Sequence, residues 1–216
     1  MTDQELFSYV DHTLLKPEAT PEQIAVLCAE AAEHGTASVC VNGSYVPLAK
    51  KLLNGKAKVC AVIGFPLGAM STAAKAFEAA EAIRDGADEI DMVIHIGQLK
   101  AGNTDYVLED IKAVKAAIGD HILKVIIETC LLTEEEKITM CRIVTESGAE
   151  YIKTSTGFST AGATFSDVEL MRQYVGTNVK VKAAGGISSF ADAEKFIELG
   201  ADRLGTSRLV KIMKHV

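Results

Sequence analysis

One short pattern recurs four times along this chain: the end of a helix, a glycine, and then a run of strand-forming residues. The four copies are EHGTASVCV (33–41), RDGADEIDMV (84–93), ESGAEYIKTS (146–155) and ELGADRLGTS (198–207). Glycine suits the left-handed backbone that commonly ends a helix, and β-branched residues favour the strand that follows. Four more apolar runs complete the pattern: SYVDHTLL (8–15), AKVCAVIGF (57–65), ILKVIIETC (122–130) and VKVKAAGG (179–186). The sequence therefore predicts eight strands.

Helices are predicted between the strands because hydroxyl and amide residues stand where a helix needs a cap. Three segments fit the capping box, in which a Ser or Thr and a carboxylate or amide three residues later bind the first free N–H groups. These segments begin at Thr20, Thr133 and Ser166. Three further caps are predicted for helices near 72–85, 104–117 and 190–199, and they are Ser71, Asn103 and Ser188.

Alternation of apolar strands with helices is typical of a parallel sheet covered by helices, which places the chain in the α/β class. Eight units favour a closed (β/α)8 TIM barrel over an open doubly wound sheet, and no G-x-G-x-x-G follows the first strand to indicate a dinucleotide site. Such a barrel commonly takes about 250 residues. Residues 1–216 are therefore expected to form a single compact barrel domain with short loops.

Composition and charge exclude several classes of protein. The chain is 48% hydrophobic, and its net charge of −7 has the wrong sign for binding nucleic acid or anionic lipid. No apolar run approaches the roughly 20 residues that cross a bilayer, and the first residues lack the basic and apolar parts of a signal peptide. Five scattered cysteines without a C-x-x-C pair indicate reduced thiols rather than disulfides or a zinc site. A cytoplasmic protein with no nucleic-acid or membrane partner is predicted.

Two lysines are placed at the ends of predicted strands, where the catalytic residues of barrels collect. Alternation along the two strands directs Lys153 and Lys182 inward and their apolar neighbours outward. Because like charges disfavour protonation, at least one lysine is expected to be partly neutral near pH 7 and nucleophilic toward a carbonyl carbon, as in Schiff-base chemistry. A passive network that pairs both lysines with Asp91 and Glu128 fits the spacing equally well.

Two carboxylates are candidates to join the lysines. In the strand EIDMV (89–93) the apolar Ile90 and Met92 share one face, so Asp91 points inside. A buried aspartate needs a partner, and a pair with Lys182 could pass a proton through water to a substrate carbon or hydroxyl. Asp11 on the first strand is a second candidate, to bind a substrate hydroxyl; a capping or loop aspartate is the alternative.

Glycine-containing segments after the last three strands predict an anion site. They are Thr154-Ser155-Thr156-Gly157-Phe158, Ala184-Gly185-Gly186-Ile187 and Gly205-Thr206-Ser207. Glycine lets the main chain approach a ligand, N–H groups at a helix N-terminus point at negative charge, and barrels commonly bind phosphate after the seventh and eighth strands. A phosphorylated substrate is implied.

Seven segments of the chain resemble deoxyribose-phosphate aldolases, and they extend over nearly its whole length. They are DHTLLK (11–16), VIGFPLG (62–68), EIDMVI (89–94), IETCLL (127–132), YIKTSTGF (151–158), VKAAGGI (181–187) and GTS (205–207). The resemblance implies a class I aldolase on a (β/α)8 barrel that needs neither a metal nor a cofactor. Its expected reaction, in deoxyribonucleoside catabolism, splits 2-deoxy-D-ribose 5-phosphate into acetaldehyde and D-glyceraldehyde 3-phosphate.

The resemblance also implies roles for individual residues. Lys153 would form the Schiff base, while Lys182 and Asp91 would favour its neutral form and move protons. The phosphate would lie against Gly157, Gly185, Gly186, Thr206 and Ser207. The chain ends at 215–216 without the tail tyrosine that some members carry, so the resemblance does not establish a proton relay through such a group.

Other functions fit the same barrel. A phosphosugar aldolase with a different donor would keep both lysines, whereas an enediol isomerase would need a glutamate base and a neutral electrophile. A catalytically silent barrel that binds sugar phosphates would tolerate loss of Lys153. The expected partners are small phosphorylated sugars and aldehydes together with further copies of the chain, as a homodimer or tetramer.

Overall fold

The computed structural model describes residues 1–213, which form a closed barrel of eight parallel strands. Each strand pairs with the next along the chain, and the last pairs with the first. The strands are β1 (Val10–Leu14), β2 (Ser38–Asn42), β3 (Lys58–Ile63), β4 (Glu89–Val93), β5 (Ile122–Ile126), β6 (Tyr151–Lys153), β7 (Lys180–Ala184) and β8 (Arg203–Thr206). The predicted fold class and the eight strands are confirmed. The expectation about the tail at 215–216 lies outside the described residues.

Helices cover the outside of the barrel. They are α1 (Asp3–Phe7), α2 (Pro21–His34), α3 (Val46–Leu53), α4 (Thr72–Arg84), α5 (Ile96–Lys100), α6 (Thr104–Ile118), α7 (Glu134–Ser147), α8 (Phe165–Tyr174), α9 (Phe190–Glu198) and α10 (Leu209–Met213). Short 3₁₀ turns span Gly43–Tyr45 and Thr129–Leu131. The sequence interpretation did not include α1, although Thr2 and Glu5 form a capping box there.

The capping boxes explain where the longer helices begin. The two that were predicted at Thr20 and Thr133 are present and start α2 and α7. The one predicted at Ser166 is wrong, because the Thr164 hydroxyl accepts the hydrogen bond from the Asp167 N–H at 3.1 Å. Helix α8 therefore starts two residues earlier than Ser166 would place it.

The three single caps had mixed outcomes. Ser71 caps α4 through the backbone N–H of Ala74, as predicted. Asn103 precedes α6 without a side-chain capping bond. The predicted cap Ser188 is wrong, because Ser189 accepts from the backbone N–H of Asp192 to start α9.

Alternation along the strands directs apolar side chains outward under the helices and charged side chains into the barrel. The apolar side chains of each strand, such as Ile90 and Met92 of β4, pack under the helices and form the main core. The opposite faces point into the barrel, where charged side chains are buried. Among residues 1–213, no helix combines the length and apolarity that crossing a membrane requires. The inward faces of the strands bring these buried charged side chains together inside the barrel.

Candidate active site

Asp91 lies at the centre of a buried charged cluster inside the barrel. Its Oδ2 accepts from Lys153 Nζ at 2.6 Å and from Lys182 Nζ at 2.7 Å. Its Oδ1 accepts from Lys124 Nζ at 3.0 Å and from the Cys60 thiol at 3.1 Å. All five side chains are buried. Both predicted lysines therefore contact the predicted aspartate, and a third lysine joins them.

The charges of this cluster fix the protonation of its members. Burial raises the pKa of Asp91, but Lys124, Lys153 and Lys182 outweigh burial and hold the pKa of that carboxyl well below its usual range. Burial lowers the pKa of Lys182, but Asp11 and Asp91 together raise it above the usual lysine value. Lys182 is therefore an ammonium at neutral pH. Repulsion between the two lysines, on which the sequence argument relied, is offset by the carboxylate between them.

Asp11 belongs to the deeper part of the same cluster. Its Oδ1 accepts from Arg203 Nη1 at 2.6 Å and from Ser38 Oγ at 2.7 Å, and its Oδ2 forms an ion pair with Lys182. Arg203 also donates to Glu89 Oε2 at 3.2 Å. The predicted contact between Asp11 and a substrate hydroxyl is not supported, because the carboxylate is fully buried and occupied by these partners.

A cavity of about 690 Å³ opens at the ends of β6, β7 and β8. Lys153 lines this cavity, whereas Asp91 and Lys182 lie behind it. The loops that follow the three strands form much of the wall. The five residues predicted to contact a phosphate line it, together with Gly205 of the same predicted anion site: Gly157, Gly185, Gly186, Gly205, Thr206 and Ser207.

Close backbone approach explains a glycine in this wall. Gly185 has a left-handed φ of 73°, and a Cβ there would lie 3.1 Å from the Cα of Gly162 in the preceding loop. The N–H of Ala163 donates to the carbonyl of Ala184 at 3.0 Å. The loops after β6 and β7 are therefore packed backbone to backbone, which leaves N–H groups able to face an anion.

The sequence interpretation missed Lys124 and misassigned Glu128. Lys124 alternates with apolar neighbours in β5, which is the same signal that directed Lys153 inward, but the run 122–130 was interpreted only as an apolar strand. Glu128 does not join the lysines. Its carboxylate accepts instead from the backbone N–H of Thr156 at 3.1 Å and from the Thr156 hydroxyl. The alternative network is therefore wrong for Glu128, whereas its pairing of both lysines with Asp91 is present.

One group of side chains has the composition of a metal site. Cys40, Cys60 and Asp91 each bring a potential ligand atom within 4.8 Å of the others. Cys40 and Cys60 are register partners on β2 and β3. Both oxygens of Asp91 already accept hydrogen bonds from lysine side chains, so a cation bound there would have to displace them.

Comparison with known proteins identifies the family. The sequence profile of the DeoC/LacD family aldolases matches residues 6–208. The chain belongs to this aldolase family. Deoxyribose-phosphate aldolase of Clostridioides difficile (strain 630) is 56% identical to the chain over 212 residues, covering 98% of this chain and 97% of that protein. Deoxyribose-phosphate aldolase of Streptococcus agalactiae serotype Ia is 58% identical over 215 residues, covering 100% of this chain and 96% of that protein.

Solved aldolase structures share the fold of this family member. The aldolase QR15 superposes with a TM-score of 0.93 at 40% sequence identity, covering 98% of this chain and 97% of that one. The deoxyribose phosphate aldolase from Aeropyrum pernix, described as tetrameric, gives a TM-score of 0.88 at 30% identity, covering 99% of this chain and 92% of that one. The resemblance found in the sequence is thereby confirmed.

Proposed function

We propose that this protein is a class I deoxyribose-phosphate aldolase. It reversibly cleaves 2-deoxy-D-ribose 5-phosphate into acetaldehyde and D-glyceraldehyde 3-phosphate through a Schiff base on Lys153, in deoxyribonucleoside catabolism. The position of Lys153 carries this proposal. Its amine lies between the buried charged cluster and the cavity wall of glycine-rich loops. Relatives that match almost the whole chain bear the name of this enzyme.

The charge balance of the cluster supports Lys153 as the nucleophile. Apart from Lys153, six buried charged side chains are joined by ion pairs within this cluster, three carboxylates and three cations: Asp11, Glu89, Asp91, Lys124, Lys182 and Arg203. When Lys153 loses its proton, these charges balance. A surplus buried ammonium is costly, whereas a neutral amine is the form that attacks a carbonyl carbon.

The covalent steps follow from that amine. Neutral Lys153 adds to the C1 aldehyde of the open-chain sugar, and loss of water gives an iminium ion. A base removes the C3 hydroxyl proton, the bond between C2 and C3 breaks, and D-glyceraldehyde 3-phosphate leaves. The electron pair of that bond forms an enamine conjugated to the Lys153 nitrogen, which cleavage between C3 and C4 could not give. Protonation at C2 and hydrolysis release acetaldehyde and restore the amine.

Asp91 and Lys182 supply the proton transfers in this proposal. Asp91 Oδ2 lies 2.6 Å from Lys153 Nζ and 2.7 Å from Lys182 Nζ, so it joins the nucleophile to a second lysine that can donate a proton. Protons pass between this pair and the substrate through water, because neither side chain lines the cavity. The glycine-rich loops bind the 5-phosphate and so fix the distance from C1 to Lys153.

Aldehyde release from 2-deoxy-D-ribose 5-phosphate in the presence of a chelator tests the proposed function. We expect turnover to continue, with acetaldehyde and D-glyceraldehyde 3-phosphate as products. Absence of turnover would favour a silent sugar-phosphate-binding barrel. Loss of turnover on chelation would indicate a metal-dependent aldolase, and a donor product other than acetaldehyde would indicate a different specificity.

The proposal also covers the domain organisation, the cellular location and the oligomeric state of the protein. Residues 1–216 act as one barrel domain. The protein is cytoplasmic, which the five free cysteines support because thiols stay reduced there. It forms a homodimer or a tetramer; a tetramer is described for the aldolase from Aeropyrum pernix. Exposed apolar side chains such as Leu67 and Phe77 favour self-association, and the mass in solution measured by light scattering tests it.

A further inference from the structure

We infer that Glu128 is a positioning residue that holds the loop after β6 in place for the phosphate of the substrate, an inference that rests on the proposed function. Glu128 follows β5 and is 2% exposed. Its Oε1 accepts from the backbone N–H of Thr156 at 3.1 Å, and its Oε2 accepts from the Thr156 hydroxyl. These bonds join the loop after β5 to the loop after β6.

Two features of Glu128 are unfavourable for stability. No lysine, arginine or histidine nitrogen among residues 1–213 forms an ion pair with its carboxylate, although burying an unpaired charge is costly. Its backbone is left-handed, with φ of 54° and ψ of 66°, a conformation that residues other than glycine rarely adopt. Backbone strain of this kind is found mainly at active sites and ligand-binding sites. The hydrogen bonds to Thr156 offset both unfavourable features.

The hydrogen bonds to Thr156 also constrain Gly157, which lines the cavity. The Thr156 hydroxyl oxygen also accepts from the backbone N–H of Phe158 at 3.0 Å, so both sides of Gly157 are tied to one atom. A Cβ placed on Gly185 would lie 3.7 Å from the Cα of Gly157. Glu128 therefore sets the position of Gly157 against the loop after β7.

This arrangement separates the phosphate end of the site from the reacting end. Lys153 is held by Asp91, which Glu128 does not contact. Loosening Thr156 should weaken binding of the phosphorylated end and leave the covalent steps at Lys153 intact. Glu128 is thus expected to affect KM for a phosphorylated sugar far more than kcat.

Comparison of two substrates tests the inference in the full-length protein. For Glu128→Gln, which keeps the shape but loses the charge and one acceptor, we expect KM for 2-deoxy-D-ribose 5-phosphate to rise roughly tenfold. We expect kcat to stay within about twofold, and kcat/KM for unphosphorylated 2-deoxyribose to stay unchanged. Glu135→Gln, which alters an exposed glutamate in the first turn of α7, is the matched control and should change neither substrate.

Variants of Thr156, which binds Glu128, keep the test decisive if Glu128→Gln fails to fold. Thr156→Val removes the hydroxyl and should raise KM for the phosphorylated sugar, whereas Thr156→Ser keeps it and should restore KM. Equal losses on both sugars in Glu128→Gln, or an unchanged KM for the phosphorylated one, would overturn the positioning role. So would a Thr156→Ser variant that behaves like Thr156→Val.

Binding of inorganic phosphate separates this inference from the proposed function. Titration calorimetry should show a Kd for phosphate about tenfold higher in Glu128→Gln than in the unaltered protein. An unchanged Kd would overturn the inference. If the Kd rises but the unaltered protein does not cleave 2-deoxy-D-ribose 5-phosphate, the proposed function fails while the role of Glu128 in anion binding stands.

Discussion

Lys153 Nζ lies 2.6 Å from Asp91 Oδ2, although the two residues stand on β6 and β4 with β5 between them. Lys124, on the intervening strand, binds the other oxygen of Asp91 at 3.0 Å. The Asp91 carboxylate therefore binds lysines from three strands, which are Lys124 on β5, Lys153 on β6 and Lys182 on β7.

Removal of Lys182 should separate proton transfer from substrate binding. In Lys182→Leu we expect kcat to fall about 100-fold or more, because the acid paired with Asp91 is lost, while phosphate affinity is retained. Steady-state kinetics and phosphate titration measure the two effects. Lys180→Leu, an exposed position two residues earlier on β7, is the control. A Lys182→Leu variant with normal kcat would contradict the assigned role.

Lys124 should matter for stability because it neutralises two buried carboxylates. Its Nζ lies 2.6 Å from Glu89 Oε2 and 3.0 Å from Asp91 Oδ1. Lys124→Met leaves both short of a cation, and we expect the free energy of unfolding to fall by about 3–5 kcal/mol. Urea denaturation measures this loss, with the half-exposed Lys112→Met as control. A loss as small as that of the control would show that the cluster is not held by Lys124.

A methyl group on Gly185 should disturb the phosphate loops. Gly185→Ala places a side chain at a left-handed φ of 73° and 3.1 Å from the Cα of Gly162. We expect a loss of about 1–2 kcal/mol in unfolding free energy and a higher KM for the phosphorylated sugar. Gly35→Ala has a similar φ of 68° with no atom close to the added Cβ. This control should lose stability but keep KM; equal KM values in both variants would argue against a phosphate site at Gly185.

The pH dependence of stability should follow the charges of the cluster. The pKa of Asp91 lies well below the ordinary value in the folded protein. The unfolded chain therefore takes up this proton first, and the free energy of unfolding should fall as the pH drops below about 4. The pKa of Lys182 is raised. Above about pH 10.4 the unfolded chain loses a proton that folded Lys182 keeps, so stability should fall there too.

Urea denaturation across the pH range measures both the acid and the alkaline fall in the free energy of unfolding. Asp91→Asn should show a shallower fall in acid than the unaltered protein, because the titrating carboxyl is gone. An unaltered protein whose unfolding free energy stays constant between pH 5 and pH 3 would contradict the assigned charge state of Asp91.

The sequence predicted the barrel and the inward direction of Lys153, Lys182 and Asp91, because strand alternation and a repeated helix–strand pattern are local signals. Beyond the pair of Asp91 with Lys182, it could not predict which charges meet across the interior, since contacts between strands far apart in sequence depend on closure of the barrel. Asp11 illustrates this limit. Its place on the first strand was predicted, but its partner Arg203 lies 192 residues away and fixes it in the cluster rather than at the cavity.

Glu128 shows a second limit of sequence reasoning. A carboxylate at a strand end predicts a charged partner or a ligand, but its left-handed backbone and its bonds to Thr156 depend on the loop after β6. Helix starts were missed for a related reason. Thr164 and Ser166 are both capable caps, and only the path of the loop from β6 decides between them.

Reductive trapping tests the central claim most directly. Incubation with 2-deoxy-D-ribose 5-phosphate and borohydride should reduce the Schiff base to a stable amine, and peptide mass spectrometry should find the added mass on Lys153 alone. Lys153→Ala should retain its fold, acquire no added mass and lose activity. Added mass on another lysine, or none on Lys153 while the protein turns over substrate, would contradict the account.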